Sequence, residues 1–120
     1  MKILVADDSR VMRQIVIRTL RQAGFSGHDI VEAEDGADGF SKVQTEKPDL
    51  VLSDWNMPNK TGIDFLRDLR GSGNQTPFGF VTSEGSEEMR SIASDAGALF
   101  LIAKPFTAEV FEEALTPVLG

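Results

Sequence analysis

The chain contains no cysteine. That excludes a disulfide framework, a thiolate nucleophile and a thiolate metal site. Positive charge is scarce: 12 Lys and Arg stand against 19 Asp and Glu, for a formal net charge of -7. Such a balance argues against generic binding to nucleic acid or to an anionic membrane surface. Long apolar runs are missing too, and nothing approaches the roughly 20 residues of a membrane-spanning helix. After Lys2 only four apolar residues precede Asp7, so no secretory signal is expected. Repeats, linkers and low-complexity tracts are absent as well. With 120 residues, the expectation is one domain over 1–120 with a single core, no attached output domain and a cytoplasmic location.

What the chain does have is a series of short apolar runs, each closed by a chemically active residue. Met1-Lys-Ile-Leu-Val-Ala ends in Asp7-Asp8, and Leu50-Val-Leu-Ser ends in Asp54. Phe78-Gly-Phe-Val ends in Thr82-Ser83, and Leu99-Phe-Leu-Ile-Ala ends in Lys104-Pro105. A weaker run, Ile30-Val31, leads into Glu32-Ala-Glu-Asp-Gly.

Amphipathic stretches alternate with these runs. Met12, Ile15, Val16, Leu20 and Ala23 recur at helical spacing and Gly24 stops them. Asp35 is placed to cap a helix carrying Ala37, Phe40 and Val43, closed off by Pro48. Thr61 and Asp64 have the spacing of a capping box before Ile63, Leu66 and Leu69. Ser86, followed by Glu87 and Glu88, suits the start of a helix with Met89, Ile92, Ala93 and Ala96 inward and Gly97 at its end. Thr107 opens a last helix with Val110, Phe111, Ala114 and Leu115 inward, and Pro117 should end or kink it.

Five continuous apolar strands alternating with five helices imply a parallel sheet covered on both faces, a doubly wound α/β fold. Asp7, Asp8, Asp54, Thr82 and Lys104 then share the carboxyl edge of the sheet, where open α/β sheets place their ligands. Gly79 is a local inconsistency, because glycine inside a strand weakens it.

Adjacent carboxylates repel unless a cation or proton separates them. Asp7, Asp8 and Asp54 together offer a hard oxygen site of the type magnesium accepts. A carboxylate also attacks phosphorus, forming an acyl phosphate. Charge then spreads over three equatorial oxygens, and a metal, the Lys104 ammonium and the Thr82 hydroxyl would supply one partner each. Each residue alone has an ordinary explanation as a turn acid, a turn hydroxyl or a surface lysine. Only their coincidence at one edge points to phosphoryl chemistry.

Over its whole length the chain resembles the receiver domains of response regulators, above all the stand-alone chemotaxis type. The stretches that carry the resemblance are Asp7-Asp-Ser-Arg-Val-Met-Arg-Gln-Ile-Val16, Glu32-Ala-Glu-Asp-Gly36, Ser53-Asp-Trp-Asn-Met-Pro-Asn59, Thr82-Ser-Glu84, Asp95-Ala-Gly-Ala98 and Lys104-Pro-Phe106. The resemblance implies a flavodoxin-like sheet of order 2-1-3-4-5 with five helices. It implies Asp54 as phosphoacceptor, Asp8 as direct metal ligand and Asp7 as a ligand through water. The Asn56 backbone carbonyl would complete a Mg2+ site. Thr82 resembles the family's switch hydroxyl and Lys104 its phosphate-binding lysine, with a cis bond between Lys104 and Pro105. Asn56 and Glu84 are placed to tune the phosphate lifetime, and the small Ser83 leaves room for a donor. The phosphodonor would be a histidine kinase or a small acyl or amido phosphate, and the output an unidentified partner protein.

Two departures stand out. Most receivers carry Tyr or Phe three residues before the lysine, and here that switch position is Leu101. From Ser86 onward there are six acids but only Arg90 and Lys104 as bases, whereas residues 9–24 carry four arginines and no acid. A flagellar-motor partner therefore does not follow from the resemblance. Three other readings compete. An aspartyl-nucleophile phosphohydrolase of the haloacid dehalogenase type would carry Asp-x-Asp after the first strand, where this chain has Asp7-Asp8-Ser9. A flavodoxin would need hydroxyls and amides in its first loop to cradle a phosphate, and Asp7 and Asp8 would repel it. A non-phosphorylated docking receiver would have no need of the intact acid set.

Overall fold

A computed structural model describes residues 1–119. Among these residues β1 (Lys2–Ala6), β2 (Asp29–Ala33), β3 (Leu50–Ser53), β4 (Phe78–Thr82) and β5 (Phe100–Ala103) form one sheet. They alternate with α1 (Arg10–Gln22), α2 (Gly36–Glu46), α3 (Gly62–Gly71), α4 (Glu87–Ala96) and α5 (Ala108–Leu119). All strand pairs are parallel and the spatial order is β2-β1-β3-β4-β5, the expected doubly wound arrangement. No described helix is long and apolar enough to cross a membrane.

Alternate residues of each strand feed two cores, one on each face of the sheet. Leu4, Ala6, Val51, Phe78, Phe80 and Leu101 pack with residues of α2, α3 and α4. Ile3, Val5, Leu50, Leu52, Val81 and Ile102 pack with residues of α1 and α5. Burial on both faces explains why β1, β3, β4 and β5 read as apolar runs, whereas β2, at the sheet edge, is mostly half-buried and carries Asp29 and Glu32. Each fully buried Leu, Ile or Phe side chain contributes roughly 1.5–3 kcal/mol, so the twelve largest fully buried side chains, from Phe65 to Leu115, anchor the sheet.

Every helix starts on a side-chain cap. Ser9, Asp35, Thr61, Ser86 and Thr107 accept from the amides of Met12, Asp38, Asp64, Met89 and Val110. These bonds satisfy amides that the first turn otherwise leaves without partners.

Four details differ from the sequence expectation. In α1 the inward residues are Val16, Ile17 and Leu20, while Ile15 is exposed. In α2 Gly36, Gly39 and Val43 face inward and Ala37 is exposed, because α3 lies close: a Cβ on Gly39 would press on the Phe65 ring at 2.8 Å. In α5 Val110 is exposed, and the helix continues through Pro117 to Leu119. Val118 and Leu119 pack on the α1–α5 core, and this burial keeps the last turn helical despite the missing N–H at Pro117. Leu99 does not join the last strand; it is exposed ahead of β5, with its N–H donating to the Phe78 carbonyl.

Candidate functional site

Parallel register brings the chemically active residues together. Ala6 pairs with Ser53, Ser53 with Phe80, and Thr82 with Ala103. Asp7, Asp54 and Lys104 are each the next residue beyond these levels and rise from one edge. The chain leaves β1 toward β2 on one side and β3 toward β4 on the other. Asp7, Asp8 and Asp54 therefore flank the topological switch point, where the loops diverge and open a crevice.

One oxygen from each of Asp7, Asp8 and Asp54 lies within 4.8 Å of the others. Asp7 is buried, Asp54 half-buried and Asp8 exposed. Lys104 Nζ stands 3.3 Å from Asp7 Oδ2 and 3.6 Å from Asp54 Oδ2, bridging the two less exposed acids. The remaining oxygens are held by the backbone. Asp7 Oδ1 accepts from the Ser9 amide at 2.9 Å, and Asp54 Oδ1 from the Trp55 amide at 2.7 Å. Burial pushes the Asp7 carboxyl above its ordinary value; the Ser9 amide and Lys104 act against that shift, and the Asp54 charge adds to it. A cation would relieve that cost.

Backbone bonds fix the loops under these groups. The Asp7 amide donates to Ala33 and the Asp54 amide to Ala6, at 3.0 and 2.9 Å. Thr82 is fully buried, and its hydroxyl accepts from the Glu84 amide at 3.4 Å. Its carbonyl accepts from the Lys104 amide at 2.8 Å, which ties the hydroxyl-bearing strand to the lysine-bearing loop. The Lys104–Pro105 peptide is cis. Asn56, Ser83 and Glu84 are exposed on the loops above the edge, while Leu101 is buried in the core beside α4.

Three features of the site have no counterpart in the sequence reading. Arg13 Nη1 donates to the Asp7 carbonyl at 2.7 Å while its Nε bonds Glu32 at 2.9 Å, clamping the acidic loop from one turn into α1. Its place one turn after the Ser9 cap was the available signal, since helical side chains lean back toward the N-terminus. Gly62, the first residue of α3, leaves space taken by the Asp54 carbonyl oxygen, which a Cβ would overlap. Beside Lys104 lies an apolar recess of about 380 Å³ lined by Met12, Ile15, Pro105 and Phe106. The exposed Ile15 belongs to this recess rather than to the core.

Three carboxylates form an all-oxygen donor set, and the exposure of Asp8 leaves room for water. That chemistry fits a hard divalent cation such as Mg2+, which retains several waters when bound. The ammonium and the buried hydroxyl suit the remaining oxygens of a phosphoryl group.

Comparison with known proteins identifies the family. The pattern of the response regulator receiver domain matches residues 3–116. The chain is 38% identical over 123 residues to the chemotaxis protein CheY1 of Helicobacter pylori, covering 100% of this chain and 98% of that protein. It is 37% identical over 120 residues to the chemotaxis protein CheY of Pseudomonas aeruginosa, covering 98% and 95%. Among solved structures, Vibrio cholerae CheY4 superposes with a TM-score of 0.85 at 35% identity, over 98% of each chain. Sheet order, edge constellation and these relatives agree: the chain belongs to the response regulator receiver domain family.

Proposed function

We propose that this protein is a phosphoacceptor switch of a two-component relay, of the chemotaxis type borne by its relatives' names. Asp54 receives a phosphoryl group from a histidine kinase or from a small acyl or amido phosphate. The observation that carries this reading is the position of Lys104, whose Nζ is within 3.6 Å of Asp54 and 3.3 Å of Asp7 and whose amide bonds the carbonyl of the fully buried Thr82.

In this reading an Asp54 carboxylate oxygen attacks phosphorus. The bond from phosphorus to the donor nitrogen or oxygen breaks, and the leaving imidazole or carboxylate carries its electron pair away. The Trp55 amide holds the other Asp54 oxygen and orients the carboxylate. Lys104 takes one equatorial phosphoryl oxygen, and the Thr82 hydroxyl turns from the Glu84 amide to another. Asp7, Asp8, Asp54 and the Asn56 carbonyl would hold Mg2+, which would supply positive charge to the site. The recess of Met12, Ile15, Pro105 and Phe106 gives the donor an apolar footing beside Lys104.

Water attacking the phosphorylated Asp54 releases inorganic phosphate and restores the carboxylate. Asn56 and Glu84, exposed at the rim, set how readily that water arrives. The output is a change in affinity for a partner protein.

Intact-mass measurement after treatment with acetyl phosphate and magnesium tests the reading. One phosphoryl adduct is expected on the wild type and none on Asp54→Asn, because an amide is a far poorer nucleophile. An adduct of equal yield on the variant would place the chemistry elsewhere.

A further inference from the structure

The loop between β3 and α3 is fastened to the start of α2 at two points. Asp35 caps α2, and its Oδ1 accepts from the Asp38 amide at 2.7 Å. Its Oδ2 reaches the other way and accepts from Asn59 Nδ2, also at 2.7 Å. One carboxylate thus serves a helix and a loop. The Asp38 amide and the Asn59 side chain hold it below its ordinary carboxylate value. Beside it, the Gly36 amide donates to the Lys60 carbonyl at 3.0 Å. A Cβ on Gly36 would stand 2.5 Å from that carbonyl oxygen, so only glycine permits the approach.

The fastened stretch is a tight turn. The Lys60 amide donates to the Pro58 carbonyl at 2.6 Å, and Asn59 between them has a φ of 65°, in the left-handed region. Asparagine tolerates that region better than most residues. Three-residue turns of this hand are nonetheless uncommon and persist where their surroundings hold them. Asn56 stands three residues earlier in the same loop. Before it, the Trp55 carbonyl accepts from the Gly62 amide at 2.8 Å; after it, Met57 is buried in the core. Among the described residues, the bond from Asn59 to Asp35 is the one side-chain hydrogen bond that residues 55–59 make to another element.

We propose that Asp35 and Asn59 are a positioning pair: their bridge pins the loop on α2 and so presents the Asn56 backbone carbonyl to a divalent cation held by Asp7, Asp8 and Asp54. The inference rests on the phosphoacceptor reading. A carbonyl is an uncharged ligand, and its contribution depends on being aimed before the cation arrives. With the bridge cut, residues 56–60 keep more backbone freedom in the free protein. Binding must then order them, and that cost is taken from the affinity. The bridge is exposed to solvent, so it contributes less to global stability than to the placement of this one loop.

Two variants cut the bridge from opposite ends. Asp35→Ser keeps a hydroxyl to cap α2, loses the second oxygen and leaves the loop sequence untouched. Asn59→Gly keeps the left-handed turn and changes no charge. Magnesium chloride titrated against Trp55 emission should show each variant binding roughly fivefold more weakly than wild type. The double variant should be no weaker than the weaker single one, since both remove the same bond. Amide exchange over residues 55–61 of the magnesium-free variants should rise, a readout independent of any phosphorylation. Wild-type magnesium affinity in both variants overturns the positioning role and leaves the phosphoacceptor reading intact. Additive losses in the double variant overturn the pairing of Asp35 with Asn59. Failure of the wild type itself to bind magnesium overturns both this inference and the reading beneath it.

Discussion

The ring of Phe100 occupies the space beside Gly79 where a side chain would stand. The two are register partners on β5 and β4, and a Cβ built on Gly79 would fall within contact-violating distance of three ring atoms. Glycine weakens the strand, but it lets Phe100 lie across the sheet and pack on the α1–α5 core.

Gly79→Ala should therefore destabilise the fold by about 1–3 kcal/mol through overpacking. The ring is partly exposed and can yield, so Gly79→Ala combined with Phe100→Leu should recover part of that loss. Urea midpoints for both single variants and the pair give the coupling. Additive effects would mean that the ring does not set the cost.

The strands were legible because both faces of the sheet are covered. Runs such as Leu50-Val-Leu-Ser have no polar face to confuse the reading, and a charged or hydroxyl residue marks where each run leaves the core. Helix faces were less legible. Ile15-Val16-Ile17 is apolar throughout, so spacing alone does not say which two face inward; the sheet takes Val16 and Ile17 and leaves Ile15 by Lys104. The strand-end acids, Thr82 and Lys104 needed only topology to be brought together. The roles of Arg13 and Gly62 depend on contacts with the backbone carbonyls of Asp7 and Asp54, and no pattern of side-chain types encodes a carbonyl.

Lys104 competes with a cation for Asp7 and Asp54, since its Nζ is 3.3 and 3.6 Å from their Oδ2 atoms. Lys104→Met should leave the carboxylates less neutralised and tighten magnesium binding severalfold, read by Trp55 emission. At saturating magnesium the same variant should be phosphorylated by acetyl phosphate at least about tenfold more slowly, having lost a preorganised charge. Weaker magnesium binding would show that the ammonium supports the metal site rather than competing with it.

Asp7 gives stability a sign-defined dependence on pH. Burial raises its pKa above 3.8, so the folded state binds this proton more tightly than the unfolded chain. The stabilising contribution is complete below the unfolded value and is lost as pH rises through the folded one. Without metal, Asp7→Asn should be more stable than wild type at neutral pH, and the difference should shrink as pH falls toward 4. Magnesium should narrow the gap from the other side by binding only the wild-type acid set. Urea midpoints from pH 4 to 7, with chelator and then with magnesium, check both parts; a difference that does not change with pH would remove Asp7 as its source.

Gly62 fixes where Asp54 sits. A Cβ there would overlap the Asp54 carbonyl oxygen and approach the Phe80 ring to 3.0 Å, and the carbonyl, being backbone, has little freedom to move aside. The Gly62 amide donates to the Trp55 carbonyl at 2.8 Å, and the indole packs on Phe80 with ring centres 4.8 Å apart. An added methyl must displace the loop of residues 54–56 or the start of α3. Gly62→Ala should cost about 1–3 kcal/mol of stability, shift Trp55 emission before any ligand is added, and slow phosphorylation on the order of tenfold or more by misplacing the carboxylate. Gly71→Ala, near the other end of the same helix and with open space around its Cβ position, is the control and should leave emission and phosphorylation unchanged. If Gly62→Ala matched that control in emission and rate, the approach of α3 to Asp54 would be incidental to the site.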